Sequence, residues 1–220
     1  MKNPLTKRLP RELKGDIGKY IVIFLFMTML ISLVSGFLVA DNSVYDAYKK
    51  GFDKYNVEYI NFVTADKLSD ETIDKLEKEN KVKIYDQRYY ELNESKKNAT
   101  IRIYGERKNV NKLCVMSGKL AKQDDEIAID RVFAKNNNYK VGDNITIDKK
   151  IYKITGFIAM PNYSCVFEDN ADMIFDSVNF GVASMTDSGL SKLKKSKLSY
   201  CYAVKYDKEP ESDKKQKDMS

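Results

Sequence analysis

Histidine is absent from the chain, so any chemistry in this protein has to proceed without an imidazole. Without it there is no side chain whose unperturbed pKa sits near neutrality, and the commonest metal ligand is missing. Ser-His-Asp triads, His-assisted cysteine chemistry and His-based zinc sites are thereby excluded. Cys114, Cys165 and Cys201 lie far apart and form no CxxC motif. They read as three small buried hydrophobes, with one bridge plus a free thiol as the alternative. Asp124-Asp125-Glu126 carries charge enough for a cation, but its spacing matches no calcium loop and it reads as a solvated turn before a strand. Ser117-Gly118-Lys119 has the look of a phosphate loop's end, yet Leu113 and Leu120 stand where that loop needs Gly and Ser or Thr. Sequence alone places no carboxylate pair around a scissile bond. No catalytic, cofactor-binding or metal-ligating residue is therefore expected, and no cofactor.

Four Asn-x-Ser/Thr sequons, at Asn93, Asn98, Asn144 and Asn162, matter only in a cell that glycosylates its surface proteins. The formal charge of +6 is concentrated at the start: six basic side chains against Glu12 and Asp16 give residues 1–19 a net +4, and the remainder carries +2. Interspersed Lys, Asp and Glu in that remainder make no basic face, so no nucleic-acid partner is expected.

The elements that position these residues begin with a membrane segment. Residues 21–40 contain no charge, and thirteen of them are Ile, Val, Leu or Phe. As a helix rising about 1.5 Å per residue, they match the roughly 30 Å hydrocarbon core of a bilayer. The run is longer than a signal-peptide core and ends in FLVADNSVY without an A-x-A-like site. Basic residues before it, with Asp41 and Asp46 after it, keep the N-terminus cytoplasmic by the positive-inside rule. Thr28, Ser32, Gly36 and Ala40 recur every four residues and form a small-residue stripe on which another helix can pack closely. Val44, Tyr48, Phe52 and Tyr55 continue the helical spacing, so a stalk is expected to project beyond the lipid.

Beyond the stalk, VEYINFVT (57–64), VKIYDQRYYEL (82–92) and ATIRIYG (99–105) alternate with period two and read as strands, with a capped helix over 69–80. EIAI (126–129), a short helix DRVFAKNN, a turn at Gly142-Asp143, the strand NITI, a polar turn DKK and the strand IYKITGFIAM follow. Residues 180–185 and 198–206 read as strands flanking a helix over 187–195. Strands and helices mixed in this order predict an α+β fold. The expected organisation is a basic cytoplasmic segment (1–19), a transmembrane helix (20–40), a helical stalk (41–56), an extracytoplasmic α+β domain (57–207) and a polar linker or tail (208–220).

Two blocks carry a family resemblance. KNPLTKRLPRELKGDIGKY running into IVIFLFMTML resembles the N-terminus of an FtsX-like ABC transporter permease. GKLAKQDDEIAIDRVFAKNNNYKVGDNITIDKKIYKITGFI is similar to a MacB-type extracytoplasmic domain, through Gly118, Glu126, Ile127, Ile129, Ala134, Val141, Gly142, Asp143, Ile145, Ile147 and Gly156. These are scaffold positions and carry no chemistry. The resemblance implies a non-catalytic permease subunit in the plasma membrane, with residues 41–220 extracytoplasmic. It further implies an ABC ATPase subunit as partner, on which ATP is hydrolysed, and work on lipid, lipoprotein or peptide substrates. Family permeases continue into at least three more membrane helices. The chain is accordingly expected to be an N-terminal part of such a permease, truncated or split, or to act beside another polypeptide that supplies the remaining transmembrane helices. The alternative is a single-pass, membrane-anchored extracellular binding or sensor module. An anchored hydrolase is disfavoured by the missing His and nucleophile motif.

Overall fold

The computed structural model describes residues 14–163, 165–169, 171, 173–193 and 198–207, without the side chains of residues 41–42. Most of the basic segment and all of the polar tail (208–220) lie outside the described residues. Residues up to Gly51 and residues from Phe52 form two compact units.

The first unit is the body of α1, a helix over Ile17–Tyr55. It is long and apolar enough to cross a membrane, and none of its most apolar window is buried. Phe24, Leu25, Ile31 and Phe37 are each more than half exposed. An Ile-, Leu- and Phe-rich surface of this length is unfavourable in water by roughly 25 cal/mol for each Å². Thr28 satisfies its hydroxyl within the helix, donating Oγ1–H to the Phe24 carbonyl at 2.8 Å.

The second unit is a mixed sheet. Its elements are β1 (Ile60–Thr64), α2 (Asp70–Asn80), β2 (Val82–Asp86), β3 (Tyr89–Glu94), β4 (Ala99–Tyr104), β5 (Cys114–Gly118), β6 (Glu126–Asp130), α3 (Arg131–Asn136), β7 (Asn144–Ile147), β8 (Lys150–Ala159), β9 (Phe180–Ser184), α4 (Asp187–Ser191) and β10 (Leu198–Tyr206). The main path runs β1-β10-β3-β4-β9-β6-β8-β5, with β2 beside β10 and β7 beside β3 and β8. The β4–β9 and β6–β8 pairs are parallel, and the rest are antiparallel. The fold is α+β.

Period-two alternation sorts the sheet into two faces. Ile101, Ile103, Ile127, Ile129, Ile145 and Ile147 join one core cluster at 0–1% exposure. Tyr104, Ala128, Phe180 and Val182 join a second cluster. Asp130 caps α3, accepting the Val132 and Phe133 N–H groups at 2.8 Å each. Ser69 caps α2 by accepting the Thr72 N–H.

Several expectations need correction. The run over 82–92 is not one strand. It breaks at Gln87-Arg88, where Gln87 N–H binds the Cys201 carbonyl at 2.8 Å and Asp86 Oδ1 takes Arg88 N–H at 2.9 Å. β5 is not among the strands expected from the sequence, because CVMSG is largely exposed and does not alternate. The first predicted strand starts at Ile60 rather than at residue 57. The predicted helix over 187–195 ends at Ser191 among the described residues. The acidic run 124–126 is, as expected, a solvent-facing turn leading into β6, and it is also internally bonded. Asp124 accepts Thr186 Oγ1–H at 2.9 Å, Ser188 Oγ–H at 3.0 Å and the Lys192 ammonium, while Glu126 accepts the Lys122 and Gln123 N–H groups.

Two glycines allow β5 to lie against β8. Gly118 pairs with Gly156. A Cβ on Gly156 would stand 2.4 Å from the Lys119 carbonyl oxygen, and Gly118 has φ +69°. The β7–β8 hairpin turns instead on two non-glycine residues, Asp148 (φ 47°) and Lys149 (φ 67°). These opposite situations predict opposite shifts. Gly156→Ala should destabilise by about 1–3 kcal/mol through overpacking. Lys149→Gly should stabilise by about 1 kcal/mol by removing left-handed strain, raising the thermal midpoint by about 2–4 °C. Thermal unfolding followed by tyrosine circular dichroism checks both signs.

Candidate ligand-binding cleft

The last residues of β4 and the loop that follows place Arg102, Tyr104 and Arg107 beside the second core cluster. Two lobes, of about 380 and 340 Å³, open there and share Gln87, Tyr104 and Arg107. Three of the chain's six arginines, Arg88, Arg102 and Arg107, line them, and none of the far more numerous lysines does. A planar guanidinium supplies a fixed fork of donors that a lysine cannot supply.

Arg102 is fully engaged. Its Nε donates to Glu91 Oε1 at 2.8 Å, its Nη1 to the Tyr163 hydroxyl at 3.0 Å and its Nη2 to the Glu168 carbonyl at 2.7 Å. The guanidinium also lies over the rings of Tyr89 (4.6 Å) and Phe180 (5.1 Å). Burial works against its charge, but Tyr163, Tyr104 and Glu91 together hold its pKa above the ordinary value. Arg102 thus stitches the loop after β8 to the sheet. Tyr104 and Tyr163 complete the stitch with a 2.6 Å hydroxyl contact. Burial first, and Tyr163 next, keep the Tyr104 hydroxyl protonated well above its usual range.

Arg107 is held differently. Its guanidinium stacks 4.0 Å over the Tyr104 ring, and Nη1 donates to Asn162 Oδ1 at 2.7 Å. The residue is 8% exposed, yet its Nε meets no acceptor among the described residues. Asn162 passes the contact on, donating Nδ2–H to Glu58 Oε1 at 3.2 Å. Glu58, itself 8% exposed, also accepts Asn61 Nδ2–H at 2.9 Å and Asn111 Nδ2–H at 2.6 Å. A buried carboxylate with three amide donors is satisfied without an ion partner. Gln87 Oε1, at the junction of the lobes, is buried and meets no donor among the described residues.

Of the residues singled out in the sequence, Asn162, Cys165 and Cys201 line the second lobe, and none of the helix-stripe or family-motif positions lines either. Thr28, Ser32, Gly36 and Ala40 lie on α1. Ile127, Ile129, Ala134, Ile145 and Ile147 are core, at 0% exposure. Gly118 and Gly156 form the β5–β8 crossing, and Glu126 ties its own turn. Val141 is exposed, while Gly142 N–H reaches the Ile154 carbonyl and Asp143 Oδ2 takes Lys140 N–H, both at 2.8 Å. The cleft residues do not stand out in the sequence because each looks like an ordinary surface polar residue there. The available signal is the clustering of Arg102, Tyr104 and Arg107 within six residues of a lysine-rich chain. Among the described residues, no three of Cys, Asp and Glu stand together to hold a metal ion.

The cysteines also need correction. Cys165 is exposed, Cys114 and Cys201 are half-buried, and all three are free. Cys165 sits on the loop stitched by Arg102, and Cys201 on β10.

In class, then, this is a membrane-length apolar helix followed by a mixed-sheet domain with a polar, arginine-lined cleft. No protein-family model matches the chain, and no curated protein matches it in sequence. Among solved structures it is similar to the periplasmic region of MacB from Actinobacillus actinomycetemcomitans, at 16% identity over 70% of this chain and 71% of that one, with a TM-score of 0.39. It is also similar to the extracellular domain of the noncanonic ABC-type transporter YknZ from Gram-positive bacteria, at 13% identity over 74% of this chain and 87% of that one, with a TM-score of 0.41.

The thiols provide a check on the cleft. Burial first, and Glu58 next, push the Cys201 thiol up to about 11. Only the thiolate reacts, so Cys201 should label slowly at neutral pH and speed up about tenfold per pH unit without a plateau before pH 10. Cys165, being exposed, should label first. Mass spectrometry after timed maleimide exposure reads both rates.

Proposed function

We propose that the chain is a permease subunit of an FtsX-like ABC transporter. In this reading α1 crosses the plasma membrane with the N-terminus in the cytoplasm, residues 57–207 work outside, and ATP is hydrolysed on a partner chain. The observation that carries the reading is the joining of an entirely unburied apolar helix to an α+β domain. The two sequence blocks ending at Leu30 and Ile158 support it, the first running into the helix and the second reaching from the end of β5 into β8.

A single helix encloses no path, so transport requires further membrane helices in the assembly. Thr28, Ser32, Gly36 and Ala40 offer them a packing face, and Gly36 has open space around it, with nothing within 4 Å of a Cβ placed there. Lipid provides no hydrophobic drive between helices, so close packing decides their association. The substrate class that goes with this reading is lipid, lipoprotein or peptide.

A second reading, a single-pass anchored binding or sensor module, is favoured by the arginine-lined cleft. The two readings share their topology and differ in whether α1 needs neighbours.

Topology is tested with the native cysteines replaced. A cysteine introduced at Lys7 should be shielded from an impermeant thiol reagent in intact cells, and one at Lys208 should be labelled; labelling at Lys7 alone overturns the orientation. The packing face is tested by crosslinking to partner helices. Gly36→Leu should sharply reduce association, whereas Leu33→Ile should leave it unchanged, because lipid accepts either apolar side chain. Equal effects of the two substitutions would remove the stripe from the proposal and leave the anchored module as the better reading.

A further inference from the structure

We infer that Cys114 and Met116 form a binding site for a soft monovalent metal cation, Cu(I) or Ag(I), on the exposed edge of the sheet. The inference concerns the sheet domain alone and stands apart from the permease reading.

β5 is the last strand of the main path and pairs only with β8. Its register slips there: Val115 stands opposite Ile158 and Ser117 opposite Phe157, which leaves Met116 as the extra residue of a β-bulge. A bulge on an edge strand re-aims a side chain. Met116 is 45% exposed, and its Sδ accepts the Cys114 thiol at 3.6 Å. Thiol and thioether, the two soft donors a protein has, therefore meet on one solvent-facing edge. Two sulfurs each bound about 2.3 Å from one ion lie up to about 4.6 Å apart. The Cys114 and Met116 sulfurs already stand within that span, so an ion bridges them without a change of backbone. Tyr55 O–H donates to Cys114 Sγ at 2.9 Å, a bond that persists when the thiol proton leaves and that holds the sulfur in place.

Binding exchanges a proton for the ion. The Cys114 thiol releases H⁺ to solvent, its sulfur electron pair forms the Sγ–metal bond, and the thioether adds a lone pair with no change of protonation. Thiolate and thioether together select Cu(I) over harder divalent ions. Zinc calls for a closed tetrahedral set of ligands, and no three of Cys, Asp and Glu stand together among the described residues.

The test uses the full chain in lipid nanodiscs, with empty nanodiscs as control and Cys165→Ser to remove the exposed competing thiol. Cys201 keeps its proton at neutral pH, because burial first pushes its thiol up to about 11. Cu(I) is offered anaerobically from a coloured competing chelator. The chain should withdraw Cu(I) from it, and the bound ion should protect Cys114 from maleimide, as read by mass spectrometry. Ag(I) should protect Cys114 likewise, and Zn(II) should not. Cys114→Ala should abolish the withdrawal. Met116→Leu, which keeps an apolar side chain of similar size at an exposed position, should weaken Cu(I) binding about tenfold or more with an unchanged unfolding midpoint. Failure to withdraw Cu(I) overturns the proposal, and so does equal protection by Zn(II). Affinity unchanged by Met116→Leu also overturns it, since the thiol would then be acting alone.

Discussion

The domain depends on the hydrogen bonding of one strand. β10 pairs with β3 through Leu198 and Ser199, and then with β1 and β2 on either side through Tyr200–Tyr206. Its nine residues belong to two groups of strands at once. Tyr202, Ala203 and Val204 are buried where the flanking strands meet. Tyr202 also stacks on Phe62 at 5.4 Å, and its hydroxyl oxygen accepts Leu68 N–H at 2.9 Å, tying the connection before α2 to the sheet. The break at Gln87-Arg88 follows from this arrangement: β2 and β3 address different stretches of the same strand, and the chain has to step between them.

The cleft is built where that step occurs. Gln87 comes from the break, Arg102 and Tyr104 from β4, and Cys201 from β10. The loop after β8 then closes over them, held by polar contacts to Arg102 and Tyr104. The two arginines divide the work. Arg102 donates to the protein through all three of its nitrogens, whereas Arg107 donates through Nη1 and its buried Nε meets no acceptor among the described residues.

Alternation makes much of the sheet legible. The runs over 99–105, 144–147 and 198–206 alternate cleanly, and the structure has β4, β7 and β10 there. The capping residues Ser69 and Asp130 mark two helix starts by the same local chemistry that the structure uses. β5 is hidden because an exposed edge strand needs no apolar face, and its place against β8 depends on two glycines far apart in sequence. The Gln87 break is hidden because its cause is a partner more than a hundred residues away, the Cys201 carbonyl. The cleft is illegible for the same reason: its polar residues become a group only through pairings that no local pattern encodes.

The hydrogen-bond chain from Arg107 through Asn162 and Glu58 to Asn111 joins segments that lie far apart in the sequence. Asn111 also accepts Glu58 N–H, and its own N–H binds the Asn56 carbonyl, just past the end of α1. Loop closure of this length is entropically expensive until the sheet is complete. The cleft therefore has no existence in a half-folded chain: its walls are brought together only when the last long-range pairing has closed.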